Sequence, residues 1–399
     1  MSSDSFTTVT RESWFSRLKN SFLGVLFGIL MFLGSFVVLW WNEGRSVHTA
    51  QALVELKNSV VTIEADHVEP QNEGKPVHLS GSATTERTLT DDLFGISAQA
   101  IKLRRKVEMY QWREEKKEEK RDKVGGSQET VTTYRYSKQW SQQQYNSDAF
   151  QQSDTHQNPR SMRVESEQKV GDPVTVGAFT LSAGLLSQMS NYETLTLAKD
   201  WQLPEAEQKS GVIQGHTVYV SQMAGGTPPN PDQPAIGDLR VSWEVVPSGP
   251  VSVIAQQTKA SFAPWQASSA KGLGTQVERL VNGVRSAPEM VEQLESENRL
   301  LTWILRGVGY FVMAFGIIMV LQPFAVLASF LPFLGKISRG GIAIFAFFVA
   351  LALSLVTIAM AWIAYRPVLA GSLIAAAAAV LILFVWLARR RPTGTPEGP

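Results

Sequence analysis

The chain has 399 residues, 44% of them hydrophobic, a formal net charge of +1 and no cysteine. The absence of cysteine excludes a thiolate zinc site, and it gives no indication of a redox compartment. The hydrophobic residues form one uncharged run near the start and a long, almost continuous region near the end, with a polar middle between them. This distribution predicts an integral membrane protein with one large soluble domain.

The first apolar run covers residues 21–41 and contains no charged side chain. As a helix with a rise of about 1.5 Å per residue it reaches the ~30 Å of a hydrocarbon core, so it predicts a first membrane span. A cleavable signal peptide is the alternative, because Arg17 and Lys19 precede the run. Secretory apolar regions are only about 7 to 15 residues long, which favours the span. Residues 1–20 are then a short segment before it.

Residues 42–302 predict a β-rich (α+β) domain inserted between the first and second spans. Short β-branched or alternating runs bounded by glycine, proline and asparagine indicate strands, for example at residues 174–181 and 212–220. Residues 239–246 and 251–255, joined through Pro247-Ser248-Gly249-Pro250, predict a hairpin with Val241 and Trp243 on its apolar face.

Residues 102–123 are dense in charges of both signs, which is typical of a salt-bridged helix or a nucleic-acid patch. The alternation of Val107 and Met109 with polar neighbours, the pair Gly125-Gly126 and a second alternating run up to Trp140 favour a different interpretation. They predict a long, polar two-stranded arm at residues 102–140 with the glycines near its tip. Such charges protect strand edges against aggregation, although contact with a protein partner or anionic lipid stays open. No nucleic-acid partner is expected.

Amphipathic helices are predicted on both sides of this domain. The apolar positions after residue 46 continue the helical spacing of the first span, and Ser286 to Glu289 resembles a capping box before a second apolar face. These helices are expected either to form a rigid stalk or to lie on the membrane surface.

The end of the chain predicts three further spans, at residues 303–322, 341–365 and 367–388. Residues 341–388 are too long for one crossing, and the break falls at Arg366-Pro367, where proline suits the first turn of a new helix. Residues 323–340 predict a cytoplasmic or interfacial link, and residues 389–399 a basic tail. Basic residues lie before the first span, between the second and third spans and after the fourth. The positive-inside rule therefore places both termini in the cytoplasm and the domain on the other side.

The search for catalytic chemistry finds little. The five histidines have no neighbour at metal-ligand spacing, no nucleophile or phosphate-loop motif occurs, and Gly272-Leu273-Gly274 lacks the third glycine of a dinucleotide fingerprint. The adjacent pair Asp91-Asp92 is interpreted as a turn cap. No cofactor, metal or catalytic residue is predicted. An enzyme would need a pocket that converges on carboxylates such as Glu43, Glu64 or Asp91.

Two sets of residues are candidates for structural roles. Small residues at four-residue spacing allow close helix packing within a chain or between chains, namely Gly24, Gly28, Ala346, Ala350, Ser354, Ala375 and Ala379. The predicted interface at the non-cytoplasmic ends of the spans contains Asn42, Glu43, Gly44, Arg45, Arg366 and Pro367. There, Glu43 or another acid is expected to pair with Arg366. The absence of ionisable groups at the span centres argues against transport, although a transporter or channel component stays an alternative. An enzyme that modifies lipid or an envelope polymer is a less favoured alternative.

Several ordered blocks resemble the transmembrane protein 43 family, also called LUMA. They are Trp41-Asn42-Glu43-Gly44-Arg45, residues 103–112, the turn Gln157-Asn158-Pro159 with Ser161-Met162, residues 237–242 and residues 361–367. The resemblance implies four spans with a large luminal domain. Animal members are associated with nuclear-envelope organisation, self-association, and binding of lamins and emerin, although the loops between the matching blocks depart from the animal pattern.

The sequence and the resemblance together predict a non-enzymatic membrane scaffold. Its expected partners are membrane lipid, further copies of the chain and other membrane or envelope proteins. Its expected location is a bacterial inner membrane with a periplasmic domain, or the endoplasmic reticulum and inner nuclear membrane with a luminal domain.

Overall fold

The computed structural model describes residues 4–372 except 124, 199, 224, 270–274 and 329–331, and further residues 375, 379 and 382; the side chains of 332–339 are not described. The helices in this part of the chain are α1 (Trp14–Ser59), α2 (Ala183–Gln188), α3 (Glu205–Gln208), α4 (Ala287–Ala328) and α5 (Pro332–Tyr365). Three segments are long and apolar enough to cross a membrane, namely α1, α4 and residues 340–365 of α5.

The strands are short apart from one hairpin, as expected for a domain rich in turns. The first nine are β1 (Ser5–Glu12), β2 (Val61–Thr62), β3 (Pro76–Thr84), β4 (Leu89–Asp91), β5 (Ile96–Ala98), β6 (Lys102–Asp122), β7 (Gln128–Ser141), β8 (Glu167–Val170) and β9 (Thr175–Val176). The others are β10 (Phe179–Thr180), β11 (Glu193–Thr194), β12 (Gly211–Gln214), β13 (Thr217–Val220), β14 (Leu239–Val246), β15 (Gly249–Thr258), β16 (Ser261–Ala263), β17 (Trp265–Gln266), β18 (Gln276–Val277) and β19 (Arg279–Asn282).

Helix α1 is continuous from the first apolar run into the domain, so the predicted extension of the helix beyond the span is confirmed. Ser13 caps it, since its Oγ accepts a hydrogen bond from the backbone N of Ser16 at 3.2 Å. Helix α4 begins as predicted at the capping box, where the Glu289 carboxylate accepts from the backbone N and the hydroxyl of Ser286.

The helix of the predicted second span does not end before Pro323, because α4 continues through this proline to Ala328. A proline inside a helix costs about 3 kcal/mol, and tertiary contacts offset that cost here. Ala325 and Val326 are buried, and the indole Nε1 of Trp14 donates to the backbone oxygen of Val326 at 3.0 Å. With α5 beginning at Pro332, most of the predicted link at 323–340 is helical.

The three long helices pack side by side, with α4 antiparallel to α1 and α5. A small apolar core joins them through Leu39 of α1, Met313 and Ala314 of α4, and Ala350 of α5. Helix α5 ends at Tyr365, and after Arg366 a helical stretch resumes at 367, with the backbone N of Ala370 donating to the oxygen of Arg366 at 3.0 Å. Residues 383–399 lie outside the described part of the chain, as do many between 373 and 381, so the fourth span and the basic tail stay predictions.

Two larger sheets form the domain. One has the strand order β1-β7-β6-β14-β13-β12, with β11 pairing β14 and β8 pairing β6. The other has the order β19-β15-β16-β10-β9-β3-β2, with an additional pairing between β15 and β3. Each covers its own hydrophobic core, built around Trp243 in the first sheet and around Phe179 in the second.

The predicted hairpin between residues 239–246 and 251–255 is wrong. β14 pairs with β6 and β13, whereas β15 belongs to the other sheet and pairs with β3 and β19. The physical reason is burial, because residues 251 to 255 are all buried. A strand that is buried on both faces needs packing partners on both faces, which the cores on either side of β15 provide and an isolated hairpin does not.

The stalk forms a third core where the long helices meet the domain. Leu53 and Leu56 of α1 and Met290 of α4 pack with Ile254 of β15 and Trp265 of β17. The amphipathic faces predicted next to the membrane are therefore buried against each other and against the domain, as the stalk interpretation requires.

The predicted arm is confirmed as the antiparallel hairpin of β6 and β7, with Gly125 and Gly126 at its tip. Both glycines have positive φ, at 84° and 77°, which favours glycine at this turn. The N-terminal strand β1 pairs with β7 from Ser5 opposite Arg135 to Glu12 opposite Gln128. Strand β1 leads into the start of α1, which is predicted to lie across the membrane from the domain. Its pairing with β7 therefore requires the arm to reach toward that side.

Candidate functional site: a buried polar junction between the long helices

A buried ion pair connects α1 and α4 where they leave the apolar region. The Glu43 side chain is completely buried and accepts two hydrogen bonds from Arg306, from Nε at 2.6 Å and from Nη2 at 2.8 Å. The indole Nε1 of Trp362 on α5 donates to the same carboxylate at 2.8 Å. One carboxylate therefore joins all three long helices. The expected pairing of Glu43 with Arg366 is wrong.

A second set of hydrogen bonds extends this junction toward the domain. Arg45 donates to the side-chain oxygen of Asn298 at 2.9 Å and to the hydroxyl of Thr302 at 3.0 Å. Asn42, which is fully buried, donates to the backbone oxygen of Thr302 at 3.1 Å, and Asn298 returns a bond to the backbone oxygen of Ser46 at 3.1 Å. These bonds fix the register of α1 against α4, since each side chain has its partner on the other helix.

Gly44 allows α5 to approach α1 closely. A Cβ at this position would lie 2.7 Å from the ring of Tyr365, which a real Cβ does not reach. Tyr365 in turn accepts a hydrogen bond from the indole of Trp40 at 3.1 Å. Arg366 lies beside α1 and lines an open hollow with Gln51 of α1, close to where Pro367 begins the next helical stretch.

The predicted small residues separate into two groups. Gly28 lies against Gly316, where an added Cβ would be 2.9 Å from the Gly316 backbone oxygen, and Gly24 faces the end of Met319 at 3.7 Å. Ala346, Ala350 and Ser354 are buried on α5. Ala375 and Ala379 are exposed. The first five therefore pack inside one chain, whereas the described residues leave the last two uncovered.

The sequence pattern alone does not identify the partners of Glu43. Arg306 lies in the first turn of the predicted second span, where an arginine can extend to the headgroups, yet its side chain is only 15% exposed. Its guanidinium also lies 4.8 Å from the ring centroid of Trp303 and 5.7 Å from that of Trp362. The sequence does place one acid and one base at the same depth of two apolar segments. Since buried charges require a partner, this shared depth is the signal in the sequence that favours their pairing.

Two polar clusters lie within the domain. Asp91 is buried and accepts from Arg105 at 2.5 Å and from the indole of Trp243 at 2.7 Å, and it also caps its turn by accepting from the backbone N of Leu93. The turn-cap interpretation is confirmed, and the ion pair is an addition to it. Asp92 faces solvent and pairs with Lys169 at 2.8 Å.

The second cluster holds the start of the chain. His156 Nε2 lies 2.9 Å from the carboxylate of Asp4, and its ring stacks on Tyr136 at 3.8 Å between centroids. Burial, together with the hydrogen bond that Tyr136 donates to Glu114, raises the pKa of the Tyr136 phenol above its ordinary value. Burial also lowers the pKa of His78, whose ring Nε2 lies 2.8 Å from the backbone oxygen of Arg285.

These arrangements position helices and strands. Glu43 and Asp91 are each held by an arginine and an indole, and Glu64 is an exposed side chain on the domain. In the described part of the chain no group of three or more histidine, aspartate or glutamate side chains is placed to hold a metal ion. The junction therefore acts as a polar connection between membrane helices and domain.

The fold and the junction define an integral membrane protein whose apolar helices continue into a β-rich domain. The profile of the family Transmembrane protein 43 matches residues 109–367. Transmembrane protein 43 of Mus musculus is 34% identical over 92% of this chain and 90% of its own length, and that of Homo sapiens is 34% identical over 94% and 92%. The homolog of Drosophila melanogaster is 31% identical over 91% and 94%. The chain belongs to the transmembrane protein 43 family. No solved structure matches it.

Proposed function

We propose that the protein is a non-enzymatic membrane scaffold that self-associates and recruits membrane or envelope proteins through its β-rich domain. The observation that carries the proposal is the junction around Glu43, which links all three long helices in the plane where they leave the apolar region. Because α1 and α4 run without a break from this plane into the domain, the domain is held rigidly against the membrane. Rigid presentation of a large surface suits a scaffold.

Four spans, with the start of α1 and the C-terminus in the cytoplasm and the domain outside it, are part of this proposal. The basic residues Arg17, Lys19 and Arg389 to Arg391 support the orientation through the positive-inside rule. A bacterial inner membrane and the endoplasmic reticulum with the inner nuclear membrane are both compatible with the same topology.

Self-association is assigned to the last apolar segment. The packing of α1, α4 and α5 uses Gly24, Gly28 and the small residues of α5, whereas Ala375 and Ala379 are exposed. Small residues on a lipid-facing helix permit close approach of a second helix. The remaining small face is therefore available to another copy of the chain.

The test uses the natural absence of cysteine. Ala375→Cys and Ala379→Cys are introduced singly, and disulfide-linked dimers are measured in native membranes after mild oxidation. Leu33→Cys is the control, because Leu33 is 56% exposed on a different helix and faces lipid in the same way. The proposal expects disulfide-linked dimers for the two alanine positions and no disulfide-linked dimers for the control. A strictly monomeric chain at all three positions would refute self-association through this face.

A further inference from the structure

A three-stranded polar ribbon stands beside the apolar helices. We define the ribbon as β1 (Ser5–Glu12) with the residues paired around it, 115–122 of β6 and 128–135 of β7. All eight residues 115–122 are charged, four of each sign. In the single chain residues 115–121 are exposed, with the Lys116 and Arg121 side chains at 52% and 55%, and the side chain of Asp122 at the tip is buried beside Arg17.

The ribbon is attached at both ends of the membrane-spanning part of α1. At its tip, the backbone oxygen of Gly126 accepts from the Arg17 guanidinium, and Arg17 also lies 3.6 Å from Asp122. At its other end β6 pairs with β14, the strand that leads into β15, and Ile254 of β15 packs on α1 at Leu53. Arg17 and Leu53 lie before and after the apolar run 21–41.

The lengths agree with a ribbon that runs along the span. Its eight residues cover about 26 Å at 3.3 Å per residue, close to the ~30 Å of a hydrocarbon core. Asp4, just before β1, reaches back to His156 in the domain, so β1 runs from the domain side toward the tip and α1 then returns.

Hydrocarbon cannot surround this ribbon. Charged side chains at mid-bilayer depth are strongly unfavourable. Within the described part of the chain, the outer edges of β1 and of β6 beyond the contact with β14 also carry backbone groups without strand partners. Irregular or open β-structure at membrane depth occurs only where protein buries it or water fills the space beside it. The pairs Lys116 with Glu118 and Arg121 with Glu119 balance charge along the strand, yet they leave the side chains accessible to water.

We propose that the ribbon crosses the membrane beside the three helices in a water-filled cleft, closed off from lipid by further copies of the chain, and presents its tip on the side opposite the domain. The ribbon crosses the membrane because it lies beside α1, α4 and α5, which are taken to span it. The closure by further copies rests on the self-association proposed above. The consequence is an aqueous, charge-lined path at membrane depth that the apolar helices alone do not indicate.

The test is one-sided labelling of single cysteines in the full-length, cysteine-free chain in sealed vesicles. A membrane-impermeant maleimide reacts with thiols that water reaches. Gln214→Cys, at the exposed end of β12 in the domain, defines the domain side, and Lys19→Cys, exposed at the start of α1, defines the opposite side. Lys123→Cys probes the tip, and Lys117→Cys probes the middle of the ribbon.

The proposal expects Lys123→Cys to label from the same side as Lys19→Cys, and Lys117→Cys to label without detergent. Labelling of Lys123→Cys from the side of Gln214→Cys, or of Lys117→Cys only after detergent, overturns the crossing. Thr7→Cys with Thr133→Cys, whose native hydroxyl oxygens are 3.5 Å apart, is expected to form a disulfide in the same vesicles. Failure to form it overturns the paired ribbon. If the cysteines label as expected but the chain stays monomeric in the Ala375→Cys crosslinking, only the closure by further copies is overturned.

Discussion

Replacing Arg306 by methionine tests the junction most directly. The change removes the ion-pair partner that gives Glu43 two of its hydrogen bonds, and of the hydrogen bonds to this completely buried carboxylate in the described part of the chain it leaves the one from the indole of Trp362. Loss of one member of a buried ion pair costs about 3 to 5 kcal/mol, because the other charge stays desolvated. With an unfolding entropy of roughly 2.1 cal/mol/K per residue, a chain of this length should unfold about 4 to 6 °C lower.

The assay is thermal unfolding of the purified protein in one detergent, followed by tryptophan fluorescence. Arg299→Met is the matched control, because Arg299 lies on the same helix, is 65% exposed and is 3.8 Å from Glu295. That change should alter the stability by no more than about 0.5 kcal/mol. Combining Glu43→Gln with Arg306→Met should restore part of the stability, since no uncompensated charge is left. Equal midpoints for Arg306→Met and the control, or strictly additive effects of the two changes, would refute the reasoning.

Three further predictions use the same unfolding assay. Gly28→Ala should destabilise the chain by roughly 1 to 3 kcal/mol through overpacking against backbone, whereas Gly24→Ala, which meets only a flexible methionine end, should not; equal behaviour would count against close packing at Gly28. Asp91→Asn should cost about 1 to 3 kcal/mol, since Arg105 keeps Glu167 at 3.2 Å, and Asp92→Asn less than about 1, so a larger effect at the exposed neighbour would contradict the assignment. Burial lowers the pKa of His78 in the fold, so as the pH falls the unfolded chain takes up the imidazole proton first, near pH 6.5, and the stability of the fold should decrease below that value. His78→Gln should flatten this pH dependence, and an unchanged pH profile would exclude His78 as its source.

Local patterns were sufficient for the elements whose stability is local. The uncharged run at residues 21–41 requires a helix in lipid, because only a helix satisfies its own backbone there. The alternation around Val107 and the pair Gly125-Gly126 specified the arm, since side-chain period and positive φ are properties of a few neighbouring residues. The capping box at Ser286 and Glu289 likewise depends on four consecutive positions.

Partners that lie far apart in the chain were decided by tertiary structure. β14 and β15 are neighbours in sequence and belong to different sheets, because a strand buried on both faces needs cover that a hairpin does not supply. Pro323 stays inside α4, since packing of the following turn offsets its intrinsic cost. Glu43 pairs with Arg306 and not Arg366, because antiparallel packing of α1 and α4 places the two side chains at one level.

The sequence by itself determined that this is a membrane protein of the transmembrane protein 43 family with a β-rich domain and a charged arm. Those features follow from composition, periodicity and ordered blocks that local residues carry. The tertiary structure alone decided that a buried carboxylate joins three helices and that the N-terminal strand completes the arm beside them. Both depend on contacts across more than one hundred residues, for example between Phe6 and Tyr134, and no local pattern encodes which distant partner a charge or a strand edge meets.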